Sequence, residues 1–119
     1  MKRSGIKRGA STLKRGKPLA ARSKKRAAYR ASEAGREGLA HMLRVKALPC
    51  VICGAPPPSE AHHCRSGGMA RDDMATIPLC KRHHTGSEGY HTMKRTWEAR
   101  YGPDHGFLPL VRRLLGVGQ

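Results

Sequence analysis

The chain has 119 residues, with 24 Lys and Arg against 8 Asp and Glu, and a formal charge of +16. That length allows one domain with at most a tail, and five aromatic residues can fill only a small core. No stretch approaches the ~18 apolar residues of a membrane span, so a transmembrane segment is excluded. The basic N-terminus lacks the apolar run of a signal peptide, so a cytoplasmic protein is expected. In that setting its four Cys and seven His read as metal ligands before disulfides.

In chain order, residues 1–26 carry eleven basic side chains and no acid. They include the pairs Lys2-Arg3, Lys7-Arg8 and Lys14-Arg15, punctuated by Gly, Ser and Pro. High net charge with low hydrophobicity cannot offset the entropy of folding, so this stretch reads as a disordered arm. Its cations suit phosphate contacts without sequence preference. The remaining 93 residues carry +5 (16 − 11).

Good helix formers dominate from Arg26 to Ala47. Leu39, Met42, Leu43 and Lys46 are spaced as one helical face. Gly35 and Gly38 interrupt the pattern, so the expected helix is Gly38–Ala47, ended by Pro49. Ala75–Leu79 reads as a short strand. Met93, Trp97 and Tyr101 form an apolar stripe on a helix stopped by Gly102-Pro103, and such a stripe usually faces a core. Leu108, Val111, Leu114 and Leu115 predict a last helix from about Pro109.

Between these elements lies a dense run of Cys and His. Cys50-x-x-Cys53-Gly places two thiolates on one tight turn, and about 30 residues later Cys80-x-x-His83 matches it. Together they form a Cys₃His set suited to structural Zn²⁺. Cys64 is a further thiol, either an ordinary buried Cys or an alternative to His83 as fourth ligand. His62, His63, His84 and His91 exceed what one structural zinc needs. A second, open metal site with a water-activating imidazole would use them. Glu60 could orient one of these imidazoles or stand as an exposed loop acid. Arg65, Arg71, Lys81 and Arg82 interleave with the ligands and are candidate phosphate contacts.

The order Cys50-x-x-Cys53, His62-His63, Gly67-Gly68, Asp73, Pro78-Leu79-Cys80-x-x-His83-His84, Gly86 and His91 resembles the HNH (ββα-metal) endonucleases. More narrowly, with Trp97-Glu98-x-x-Tyr101-Gly102, it is similar to phage and prophage nucleases of the recombination-enhancement, RecA-dependent group. The resemblance covers residues 48–102. It implies an α+β fold with a zinc-stapled ββα-metal core, flanking helices and a basic arm, the nuclease domain being residues 27–119. It also implies that His63 is the general base, and that His62 and His84 hold the catalytic divalent ion. It makes His91 the candidate third metal ligand, on the same helix as His84 if the turn Gly86–Gly89 is accommodated. Mg²⁺ is the expected ion, with Mn²⁺, Ni²⁺ or Zn²⁺ also compatible with imidazoles. The partners implied are DNA and a RecA-type filament.

One departure from the family pattern and one geometric tension stand out. The middle Asn of the motif is absent, with Ala75 and Thr76 in its place, and Asp73 is the candidate to brace the loop presenting His63. Neighbouring strand residues also point to opposite faces, so His62 and His63 can share a site only if the strand bulges or ends there. The competing expectations are a non-catalytic zinc-ribbon module that binds nucleic acid, and a basic RNA-associated protein of the ribosomal kind. The first explains the Cys₃His set and the arm but leaves the other histidines without a role.

Overall fold

The computed structural model describes residues 23–116 and position 16. The fold is α+β, a small two-stranded sheet surrounded by several helices. Among the described residues no helix is long and apolar enough to cross a membrane. The basic arm lies outside the described residues apart from Gly16 and its last four positions. There the expected boundary moves, because Lys24–Arg26 already form the first turn of α1 (Lys24–Ala31). The Ser23 hydroxyl accepts from Arg26 N–H at 3.2 Å and caps that helix, which offsets an otherwise orphaned donor.

Ser32 ends α1 and starts α2 (Glu33–Lys46), its hydroxyl accepting from Gly35 N–H at 3.1 Å. The glycines therefore do not shorten α2, which runs through both. The face expected to be buried is not the one that is. Leu39 and Leu43 are exposed, whereas Gly35, Gly38, His41 and Val45 face inward. The small residues let α1 and a later loop approach α2 more closely than leucines would allow.

The strands β1 (Glu60–His63) and β2 (Thr76–Leu79) pair antiparallel, with His62 opposite Ile77 and His63 opposite Thr76. The Cys50–Cys53 turn docks on this hairpin through Val51 N–H to Pro78 O, 3.0 Å. Gly54, at φ +71°, follows the knuckle in a conformation that a side chain disfavours. A one-turn helix, α3 (Lys81–His84), leaves β2 directly. The chain then folds back through Tyr90 N–H to His83 O and His91 N–H to His84 O, 3.0 and 3.1 Å.

Helix α4 (Lys94–Tyr101) inserts Trp97, 1 % exposed, among Tyr90, Tyr101 and Phe107, with ring centroids at 5.3, 5.1 and 6.1 Å. The expected stripe is thus core, with Met93 at the helix cap. A short 3₁₀ turn (Asp104–Phe107) leads into α5 (Leu108–Leu115), whose Leu108 and Val111 are buried while Leu114 is exposed. The core is small: Val45, Ile77, Leu79, Tyr90, Trp97 and Val111 are its largest fully buried apolar residues.

Candidate metal centres and the paired histidines

Two groups of ligand atoms converge, each taking one histidine from α3. The first consists of Cys50, Cys53, Cys80 and His83, whose donor atoms all lie within 4.8 Å of one another. Cys53 Sγ is 3.7 Å from Cys80 Sγ, and His83 Nδ1 is 3.2 Å from Cys80 Sγ and 4.0 Å from Cys50 Sγ. A tetrahedral site with Zn–S bonds of about 2.3 Å has ligand–ligand edges of about 3.8 Å, so the four donors fit that ion. Burial raises the Cys50 thiol's pKa, but backbone amides of Cys53, Cys80 and Ile52 directed at it bring the net shift below the usual thiol value. Burial holds the His83 imidazole below its usual pKa, which keeps it neutral, as a ligand must be. Cys64 lies outside this group, buried, its thiol pushed up to about 12 mainly by burial.

The second group is His62, His84 and His91, again with one nitrogen from each within 4.8 Å. The rings sit edge to face, with centroids 5.2 Å (62–84), 5.1 Å (62–91) and 4.9 Å (84–91) apart. Adjacent residues of α3 therefore serve different groups, His83 the cysteines and His84 the imidazoles. His91 joins the group, but not from the helix expected. Helix α3 ends at His84, and His91 reaches the others from the fold-back turn, held by its backbone bond to His84 O.

Each of the two inner imidazoles is held by a carboxylate. His62, fully buried, has Nε2 2.8 Å from Asp104 Oδ2. Asp104 is also buried and accepts from Arg65 N–H at 2.6 Å and Ser66 N–H at 3.0 Å. Burial alone would raise its pKa; the bonds from His62 and the two amides hold it far below the usual carboxylate range. An ionised carboxylate only accepts, so Nε2 of His62 carries the proton and Nδ1 presents a lone pair. That Nδ1 is buried and has no hydrogen-bond partner. Burial keeps the His62 ring below its usual pKa and therefore neutral. On the other side, Glu60 Oε1 lies 2.8 Å from His84 Nδ1, which frees His84 Nε2. Glu60 thus orients an imidazole rather than standing apart. His91 is exposed and opens the group to solvent, its pKa lowered by burial and by the two neighbouring histidines.

His63 is the last residue of β1, so the strand ends where two neighbouring histidines would otherwise be held to opposite faces. The register is regular, without a bulge. His63 Nε2 is 2.7 Å from Asp73 Oδ1, and Tyr29 O–H donates to Asp73 Oδ2 at 2.9 Å. Both oxygens of Asp73 are thereby engaged, and by the same reasoning as for His62 the Nδ1 of His63 is left as the acceptor. Thr76, standing opposite His63, donates its hydroxyl to Asp73 O at 3.1 Å and fixes the loop where the motif's Asn is missing. Helix α2 passes so close that a Cβ on Gly38 would lie 2.8 Å from Asp73 Cβ and Oδ2 and 3.2 Å from Tyr29 Oη.

Asp104 and Tyr29 escaped the sequence reading. They lie 42 residues from His62 and 44 from Asp73, with no motif spacing to link them. The only signal for Asp104 was its place just after the helix-stopping Gly102-Pro103. Of the basic candidates, Arg65, Arg71, Lys81 and Arg82 are exposed, and Arg82 is ion-paired with Glu88. Lys2, Arg3, Lys7, Arg8, Lys14 and Arg15 lie outside the described residues.

A protein-family profile described as "Protein of unknown function (DUF968)" matches residues 35–115, a span that holds both ligand groups, His63 and Asp73. No curated protein and no solved structure matches the chain. Since the profile covers more than half of its length, the chain belongs to the DUF968 family.

Proposed function

We propose that this protein is a metal-dependent endonuclease of the HNH, or ββα-metal, kind that hydrolyses DNA phosphodiester bonds. The single observation that carries the reading is His62 Nδ1. It is a buried lone pair with no partner, on a ring that offers a nitrogen to the group formed with His84 and His91, while Asp104 holds His62 Nε2 and Glu60 holds His84 Nδ1. Carboxylate–histidine pairs of this kind fix the tautomer and raise ligand basicity at metal sites. A polar atom left unpaired in a dry interior costs stability without a ligand to satisfy it. The order hairpin then helix, with Cys₃His beside it, supports the same reading.

His62, His84 and His91 would hold the catalytic ion, and three neutral imidazoles suit Mg²⁺ less well than Mn²⁺, Ni²⁺ or Zn²⁺. A divalent ion there supplies Lewis acidity toward a phosphate oxygen and charge for the departing 3′-oxygen. His63 does the proton work. Its Nδ1 takes a proton from the attacking water, and Asp73, steadied by Tyr29, keeps the ring in the right tautomer and stabilises the imidazolium that forms. The Cys50/Cys53/Cys80/His83 zinc has no part in the chemistry and holds α3 against the hairpin. Cations of the arm, with Arg65, Arg71 and Lys81, would engage phosphates.

The test is plasmid nicking by purified protein with Mg²⁺ or Mn²⁺, wild type against His63→Ala. Cleavage by wild type and loss of at least a hundredfold in the variant is expected. Equal cleavage by both, or none with any divalent metal and with or without a recombinase filament, would sink the nuclease reading. The last outcome favours the non-catalytic zinc module.

A further inference from the structure

A groove of about 530 Å³ runs between α1 and the loop at Arg71–Asp73. Its floor is apolar, made by the Tyr29 ring and Met42, and its rim carries Lys25, Arg26, Arg30 and Arg71. Of the two acids that line it, Asp73 has both oxygens engaged by Tyr29 and His63, while Asp72 accepts from Met74 N–H at 2.9 Å through one oxygen and keeps its charge, so the cations outnumber the acids four to two. Among the described residues, none of the four cations forms an ion pair. The Tyr29 side is 43 % exposed, so a ring face is open while its hydroxyl is tied to Asp73. The groove therefore reaches Asp73, which is one hydrogen bond from His63.

We propose that this groove binds a single-stranded segment of nucleic acid, a base stacked on Tyr29 and its flanking phosphates on Arg26, Arg30 and Arg71. The ligand class rests on the nuclease reading; the strandedness rests on the groove itself. An exposed aromatic face among unpaired cations is the chemistry of single-strand binding, because every base offers a π-face and every linkage a charge. The volume falls in the range that encloses one small molecule, so a nucleotide enters and a duplex does not. The chain's own arm is a poor occupant. Residues 1–22 hold eight Lys and Arg and no acid, which the four rim cations repel. Arg26, Tyr29 and Arg30 lie before the matched span of residues 35–115, whereas Met42, Arg71 and Asp73 lie inside it.

The experiment is fluorescence anisotropy on the full zinc-loaded chain without added divalent metal, using a labelled oligodeoxynucleotide and the same sequence as a duplex. Tyr29→Ala should weaken single-strand binding about tenfold, as loss of one stacked base implies, and Tyr29→Phe should leave it within twofold. Arg26→Ala/Arg30→Ala, which keeps α1 because Ala is the best helix former, should also weaken it about tenfold. Duplex binding, carried by the arm, should move less than twofold in all three. Single-strand affinity unchanged in Tyr29→Ala and in the double variant would overturn the proposal, as would parallel loss for single strand and duplex. A groove that behaves as expected in a protein that cuts no DNA upholds the groove and rejects the nuclease.

Discussion

Replacing Asp104 by Asn tests the link between the fold and the imidazole group. Three donors converge on this buried carboxylate: His62 Nε2–H, Arg65 N–H and Ser66 N–H. Asn has the same shape but keeps one accepting oxygen and turns an NH₂ group toward at least one of those donors. A hydrogen bond to a charged group contributes about 1.5–3 kcal/mol, and a buried donor left unpaired costs about 1–3 kcal/mol. The expected loss is therefore about 3 kcal/mol, which in a domain of this size lowers Tm by about 12–24 °C. With the carboxylate gone, His62 is no longer held as the Nε2–H tautomer, and affinity for a divalent ion should fall about 10–100-fold. Thermal unfolding followed by circular dichroism, with Ni²⁺ or Mn²⁺ titrated into the zinc-loaded protein by calorimetry, measures both. The pH dependence supplies a third sign. The folded pKa of Asp104 is depressed, so its contribution is complete above the unfolded value of about 3.9 and is lost as pH falls through the folded value. Wild type should lose stability below about pH 4, and Asp104→Asn should show a flatter curve there. A variant with Tm within about 3 °C of wild type and unchanged metal affinity would refute the assigned role of Asp104.

Metal analysis should find about one tightly held Zn²⁺ per chain, and Cys53→Ser, at an exposed position that sacrifices no core packing, should unfold the domain because binding energy at such sites is folding energy. Metal-free protein that keeps the near-ultraviolet signal of buried Trp97 would reject the zinc staple. Gly38→Ala favours helix α2 by about 1 kcal/mol but drives a methyl into Asp73, so cleavage should drop at least tenfold with stability changed by no more than about 1 kcal/mol; wild-type cleavage would show that Asp73 need not sit where it does. Burial raises the Asp73 pKa while bonds from His63 and Tyr29 bring it below the usual carboxylate value. Tyr29→Phe removes one of those bonds, so the stability that Asp73 contributes above about pH 4 and loses as pH falls should shrink; an unchanged acid branch of the stability curve separates Tyr29 from Asp73.

The zinc group was readable in the sequence because it depends on local chain geometry. Cys50-x-x-Cys53 and Cys80-x-x-His83 each bring two donors to one ion by the turn they occupy, whatever surrounds them. The α4 stripe was readable for the same reason, since helical spacing fixes which side chains share a face. Helix α2 shows where that logic stops: Leu39 and Leu43 share a face, yet the glycine face is buried, because close approach to α1 and Asp73 decided the packing.

The sequence by itself determined that the chain is basic, that four donors could share a zinc, and that more histidines were present than that zinc required. Only the tertiary structure decided which nitrogen of His62, His63 and His84 is free. Asp104, Glu60 and Asp73 set those tautomers, and Asp104 and Tyr29 arrive from segments about forty residues away. Contacts between distant segments follow from how elements pack, and the spacing of residues along the chain carries no record of them.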